Sequence, residues 1–596
     1  MLAGWPAIKL FIQEEGWYRV TQPELVAAGL DPRISPRNLQ LYVDGQEQAI
    51  EVNVKQEGQF GSQDAIEFYG TGLDTPFTET RVYWLVVGAK PGKRVPLVGS
   101  LSGRAGSDSF PFTVEQKPRT VYIAAVKNGD ESNFFGPVVW TTPVEQVLSV
   151  SHLDPGALGL ATLEVALQGA TEGAHQVQVL LNNTEVGSLA FTGQSRSVTT
   201  LSVSHSLLVE GDNRVSLVAQ GGEMDVSLID YIRLTYWHTY SADNDSLRFT
   251  AVGGQKVGVG GFSSSAVRVV DITDPKMVQE VVSQVQPQGS GYGLQLVVPG
   301  TGQRILLAFA GNQVKSATAV EANLPSKWYQ AGWGADLVII SHASFIDSVK
   351  PLKILREAQG LTVALINVED LYGGFGFGNK SPQALKDFLL RARVNWQKPP
   401  RFVLLVGDAS MDPRNYLGLG NFDLIPTKLI DTAYLETASD DWFVDFHGDG
   451  LAEMAVGRLP VRTVEEAQLM VSKIVGYEQS AGGMTEVMLV ADMAGDGDFD
   501  FEGASTEVGA LLGGNLTVRK IFRSQFTDDT QVHAELLRSL NGGELLVNYM
   551  GHGSEEGWRG DIFTSADAGA LNQWPPFAFC GSHDLFERIF SGCIHR

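Results

Sequence analysis

The chain has 596 residues, too many for one hydrophobic core, so three or four domains are expected. Apolar residues make up 43% and charged residues 19%, which excludes a disordered chain. The formal net charge of -24 excludes a general nucleic-acid binder, which needs basic surface, and fits a soluble, self-repelling, exported protein. Both cysteines, Cys580 and Cys593, fall in the short tail after Phe579, so no disulfide framework spans the chain before it. No apolar run is long enough to span a membrane. The opening residues lack a basic segment followed by an apolar core, yet they start inside a strand pattern. A true amino terminus upstream is therefore expected.

Residues 1–115 read as an N-terminal β domain. "AIKLFIQEEGWYRVT", "LQLYVDGQEQAIEV" and "RVYWLVVG" alternate or run apolar, with turn signals between them. Residues 116–238 read as a β-sandwich, because "ATLEVALQG", "HQVQVLLNNTEVGSLAF", "SVTTLSVS" and "NRVSLVAQG" alternate well. Aromatic residues on "LIDYIRLTYWHTY" are expected to pack a core rather than bind sugars. Residues 239–325 hold shorter strands such as "LRFTAVGG" and "GLQLVVPG", read as a small third β domain.

From 326 to 596 the pattern changes to strand–helix alternation. "ADLVIIS" is followed by the helix "SFIDSVKPLKILREAQG", then "LTVALINV", the helix "SPQALKDFLLRARVNW" and the strand "RFVLLVGD". Later come the helix "TVEEAQLMVSKIVGYEQ", the strand "EVMLVAD", the helix "ASTEVGALLGG", the strand "TVRKIF", the helix "DTQVHAELLRSLNGG" and the strand "ELLVNYM". This predicts a mostly parallel sheet covered on both faces, with functional groups beyond the carboxyl ends of its strands.

His552 stands there, in "NYMGHGSEEGW", between two glycines that permit a sharp turn and close backbone approach. A histidine so placed can act as a general base, or simply cap a turn. Carboxylates crowd Ser439 to Val461, and Glu453 stands at the entrance of the strand "MAVGRLP", where it can orient an imidazole. A solvated acidic loop or a calcium site reads equally well there. The second acidic stretch, "DMAGDGDFDFEG", offers Asp496, Asp498 and Asp500 as candidate calcium ligands, although Phe501 stands where an EF-hand requires glycine. Nothing matches a Walker phosphate loop, and no histidine pair near His552 has zinc-ligand spacing.

Taken in order, "LLVGD", "IPTKLIDTAYLETASDDWF", "AEMAVGRLPV", "KIVGYE" and "LLVNYMGHGSEEGW" resemble the gingipain family of cysteine peptidases, peptidase family C25. The resemblance covers about Leu337 to Phe579, and "GWYRVTQPELVAAGLDP" resembles the β domains that precede the catalytic domain in that family. It implies a caspase-like α/β domain after all-β domains, polypeptide substrates, no required cofactor, and an extracellular or cell-surface location. It also implies His552 as base, Glu453 as its supporting carboxylate, and backbone near Gly553 in an oxyanion hole. The family's cysteine follows the strand after the histidine loop, and usually precedes Asn-Gly.

The tail "FAFCGSHDLFERIFSGCIHR" departs from that pattern. Measured from His552, Cys580 comes too early and Cys593 too late, and neither precedes Asn-Gly. Cys580 is the candidate nucleophile only for the tail as printed. One choice of permitted codons, read one base fewer after Phe579, gives Val-Ala-His-Met-Thr-Cys-Leu-Asn-Gly. That puts a cysteine at position 585, between the two printed ones and at the family's spacing from His552. A frameshift near Phe579 is therefore expected, leaving the printed α/β domain truncated and without its nucleophile. Two rivals stand beside the peptidase: a secretion-linked transpeptidase using the same dyad, and a non-catalytic surface or adhesion protein whose β domains bind glycans or proteins.

Overall fold

The structure, a computed structural model, describes all residues except 1, 57, 100–101, 434, 481–484, 496–498, 555, 572–577 and 583–596; for 2, 480 and 578–582 it describes the backbone alone. The amino-terminal half is all β. An antiparallel sheet takes its strands in the order 319–322, 8–12, 81–87, 39–43, 46–48, so the chain returns to its first strand only after completing the other β units. Two sheets, 109–116/227–239/161–169/196–203 and 144–150/211–219/174–181/184–192, form the sandwich. Alternate residues of both, such as Leu163, Val165, Val177, Val179, Leu217 and Leu234, meet in one buried core, as expected of paired amphipathic sheets. A further pair of sheets, built over 246–310 with the short strands 97–98 and 104–105 added at their edges, encloses its own core around Phe249, Val259 and Leu306. One helix, Gln22–Ala27, interrupts the first β region, opened by a Thr21–Glu24 capping box.

The α/β half contains two parallel sheets of four strands where the alternation predicts one. The first consists of β1 (Leu337–Ser341), β2 (Val363–Asn367), β3 (Phe402–Val406) and β4 (Ala455–Leu459), in the order β2-β1-β3-β4. The second consists of β5 (Glu486–Ala491), β6 (Thr517–Phe522), β7 (Leu546–Met550) and β8 (Ala578–Ser582), in the order β6-β5-β7-β8. The link between them is helical: α4 (Val464–Ser480) lies against α1 (Ile346–Ala358), where Arg356 grips Glu478 through two 2.6 Å bonds. Tyr477 on α4 then donates to the Leu545 carbonyl at the entrance of β7, 2.8 Å away.

Helices α2 (Val368–Phe375) and α3 (Pro382–Asn395) cover the other face of the first sheet. Val338 and Ile340 point to that layer, while Leu337 and Ile339 point to the layer beneath α1 and α4. The second sheet is sorted in the same way. Met488, Val490 and Tyr549 face α6 (Asp529–Leu540), and Val487, Leu489 and Ala491 face α5 (Phe501–Ala510). Each such fully buried side chain contributes about 1.5–3 kcal/mol, which is why the strands read as continuous apolar runs. The β domains dock on the first sheet's side: Trp84 donates to the Phe377 carbonyl at 2.5 Å, and Tyr122 to Glu436 at 2.7 Å. Among the described residues no helix is long and apolar enough to cross a membrane.

Candidate active site around His552

His552 lies two residues past the end of β7, at the carboxyl edge of the second sheet, where α/β folds place their ligands. Its carbonyl accepts from the Arg559 amide at 2.9 Å and from the Tyr549 hydroxyl at 2.6 Å. The Tyr549 ring lies flat on Trp558, with centroids 3.9 Å apart and planes within 3°. These contacts fold residues 552–564 into a short loop, closed by the Trp558 amide donating to Phe563 and the Ser554 amide donating to Gly557. Gly551 leaves no room for a side chain, because a Cβ there would displace both the Asp492 side chain and the Tyr549 hydroxyl. The imidazole is half-buried and meets Phe501, the first residue of α5, edge to face at 5.0 Å. Gly553 follows, bridged to Trp558.

The register of β8 locates Cys580. Its backbone pairs with Asn548, in the middle of β7, and the last residue of the strand, Ser582, pairs with Met550. Cys580 is thus level with a residue four positions before His552 in the chain. Positions 583 onward, including Cys593, lie outside the described residues.

Glu453 stands just before β4, at the amino edge of the first sheet. The structure brings it to His447 rather than to His552. Its carboxylate accepts from His447 Nδ1 and, at 2.6 Å, from the Phe446 amide. The Phe446 amide, followed by His447, holds the Glu453 carboxyl below its ordinary range. The Glu453 hydrogen bond holds the His447 imidazole above its own. Asp445 accepts from the amides of Gly448 at 2.7 Å and Gly450 at 2.9 Å. One oxygen each from Asp445, Asp449 and Glu453 lie within 4.8 Å of one another, an all-oxygen set of the kind calcium takes. Of the other acidic candidates, Asp496 and Asp498 lie outside the described residues, and Asp500 caps α5 by accepting from the Gly503 amide at 2.8 Å.

Sequence reasoning misses the supports of the loop: Phe501 behind the imidazole, the Tyr549–Trp558 stack, and a charged group beneath Gly551 made of Asp492, Arg523 and Asp529. Trp558 is visible as an aromatic residue six positions after His552, but nothing in the spacing joins it to Tyr549.

Residues 331–582 match the family model of Peptidase family C25. The α/β half is distantly homologous to that family of cysteine peptidases. Among solved structures, dimeric latent PorU from Porphyromonas gingivalis is 16% identical with a TM-score of 0.58, over 81% of this chain and 50% of that one. This chain therefore spans about half the length of PorU, and the likeness is one of fold. The Arg-specific cysteine proteinase gingipain R is 19% identical over 45% of this chain and 59% of its own, with a TM-score of 0.34. A carbohydrate-binding module of family CBM36, solved with calcium and xylotriose, is 18% identical over 21% of this chain and 98% of its own, with a TM-score of 0.15. No curated protein matches the chain. The architecture is multidomain, with a β-sandwich and other β units followed by a caspase-like α/β region.

Proposed function

We propose that the chain descends from an exported cysteine endopeptidase of the C25 type and carries the base of its catalytic pair. The observation behind this reading is His552 in its Gly-His-Gly loop, at the carboxyl edge of a parallel sheet within the C25-like segment. In the intact form, a thiolate beyond β8 attacks the scissile carbonyl, and His552 passes the thiol's proton to the leaving amine. Water then hydrolyses the acyl-enzyme. The Gly553 amide is a donor for the oxyanion. Glu453 orients the imidazole only by exchanging its His447 partner. The reaction needs no cofactor. A calcium ion would find its oxygen donors at Asp445, Asp449 and Glu453.

The spacing from His552 that the resemblance implies favours a nucleophile at position 585, where the printed sequence has Leu585 and the neighbouring reading frame offers cysteine. The printed chain is then inactive. Resequencing codons 570–596 and expressing both versions tests this. The one-base-shorter version is expected to cleave unfolded protein substrates, and His552→Ala to slow it by about 100- to 10,000-fold. Turnover by the printed chain that His552→Ala abolishes would refute the inactive reading. Transfer of the acyl group to an added amine in preference to water would make the intact form a transpeptidase.

The position of Cys580 beside Asn548 favours a second reading for the printed sequence, a non-catalytic surface protein whose β units bind glycans or proteins. DNA that encodes the tail as printed selects it.

A further inference from the structure

We propose that Asp492 and Arg523 are positioning residues that fix both ends of the loop carrying His552, and so set where its imidazole stands; this rests on His552 being the base of the site. Asp492 is the residue after β5, and its amide donates to the Met550 carbonyl at 2.8 Å, extending the ladder to the foot of the loop. Its side chain is completely buried. Oδ1 accepts from the Met493 amide at 2.8 Å and from Arg523 Nη1 at 2.7 Å. Oδ2 is buried without a hydrogen bond, with the nearest Arg559 nitrogen at 3.7 Å.

Arg523 is itself clamped. Its Nε and Nη2 each donate to Asp529 at 2.6 Å, a bidentate fork that fixes the guanidinium plane. The group touches the loop at its two ends. A Cβ on Gly551 would collide with Asp492, and a Cβ on Gly560 would collide with Arg523 and Asp529. Between those glycines, the Arg559 amide holds the His552 carbonyl, and the Arg559 guanidinium faces Asp492. A buried Asp492–Arg523 pair that served only to join β5 to β6 would have no need to meet one loop at both ends, Asp492 at Gly551 and Arg523 at Gly560. Such a charge sits in a low-dielectric setting, where loss of its partner forces rearrangement of whatever rests on it. Here the Gly551–Gly560 loop rests on it.

The test needs no turnover. The full chain is labelled at histidine Cε1, and His552→Gln identifies one signal among ten histidines. Asp492→Asn keeps the shape and removes the charge, while Arg523→Lys keeps the charge and removes the fork. Both are expected to move the His552 signal and weaken its cross-peak to the Phe501 ring, while the other histidines hold their positions. Exchange of the Arg559 amide is expected to quicken about tenfold. A His552 signal unchanged in both variants overturns the proposal, and so does an equal movement of all histidines, since the pair would then hold the domain and not the loop. If Asp492→Asn does not fold, Arg523→Lys decides alone. A one-base-shorter version without turnover, in which the His552 signal still responds, loses the peptidase reading and keeps the positioning. A one-base-shorter version with turnover, in which the His552 signal is indifferent, does the reverse.

Discussion

The two sheets of the α/β half run through the same order, β2-β1-β3-β4 and β6-β5-β7-β8, and end very differently. Past β3 come Gly407 and Asp408; past β7 come Gly551 and His552. Past β1, the His342 amide donates to Val406, the last residue of β3, at 3.1 Å; past β5, the Asp492 amide donates to Met550, the last residue of β7, at 2.8 Å. The two scaffolds repeat each other's register, but their chemistry is inverted, with acid standing where the other has imidazole. At the first edge Asp408 is buried and closed off by Arg462 at 2.5 Å. At the second, the imidazole stays half-exposed between glycines. The fold supplies a position two residues beyond a central strand, and the residue placed there decides whether it is sealed or available.

The largest expected break in this comparison comes from Trp558, which is 3% exposed and stacked on Tyr549. Trp558→Ala should cost the second sheet about 3–5 kcal/mol, read as faster amide exchange in β5–β7 with β1–β4 unchanged. Equal loosening of both sheets would mean that they fold as one unit. Next is Gly551→Ala, expected to cost about 1–3 kcal/mol through overpacking. Its counterpart is Gly457→Ala on β4, where a Cβ meets nothing and the change should be neutral or slightly stabilising. Urea unfolding of both variants tests the contrast, which fails if they cost the same. A smaller effect is expected from Arg462→Ala, about 1 kcal/mol, because Arg462 is 38% exposed and solvent screens the pair. Chemical denaturation should detect it, with the His552 environment undisturbed.

The smallest effect is one of pH. The folded His447 titrates above its ordinary value, so its contribution is complete below the unfolded value and fades as pH rises through the folded one. The Glu453 carboxyl is lowered, so its contribution is complete above the ordinary carboxylate range and fades as pH falls through the folded value. The pair is intact between those limits. Glu453→Gln should return the His447 midpoint, followed by NMR, to about 6.5. An unchanged midpoint would show that Glu453 is occupied elsewhere.

The strands and most helices of the α/β half are legible in the sequence, because apolar runs such as "ADLVIIS" and the three-and-four spacing of "DTQVHAELLRSL" leave little choice. Sheet membership is not legible: two stacks of parallel strands and one long stack give the same alternation. Helix α2 escapes because its sequence, "VEDLYGGF", carries two glycines. Gln22–Ala27 escapes despite its capping box, because six residues are too few for a period to emerge. His552 stands out through its glycines and its strand. The group beneath it does not, since Asp492 and Arg523 lie 31 residues apart and meet only because β5 and β6 are neighbours. The sequence points Glu453 toward His552, whereas its bond goes to His447 six residues before it, a short-range partner the loop brings round.

The amino-terminal sheet carries a consequence for how the protein is made. Strand 8–12 is flanked by 81–87 on one side and by 319–322 on the other, and Asn323 binds the Ala3 carbonyl across 320 residues. At about 5–20 residues per second, a ribosome needs on the order of tens of seconds to deliver that last strand. Throughout that interval one edge of this sheet stays open, an unpaired backbone facing every other nascent chain nearby. Strand 8–12 is made long before its sheet is finished, and its safety during synthesis depends on whatever covers that edge until residue 322 arrives.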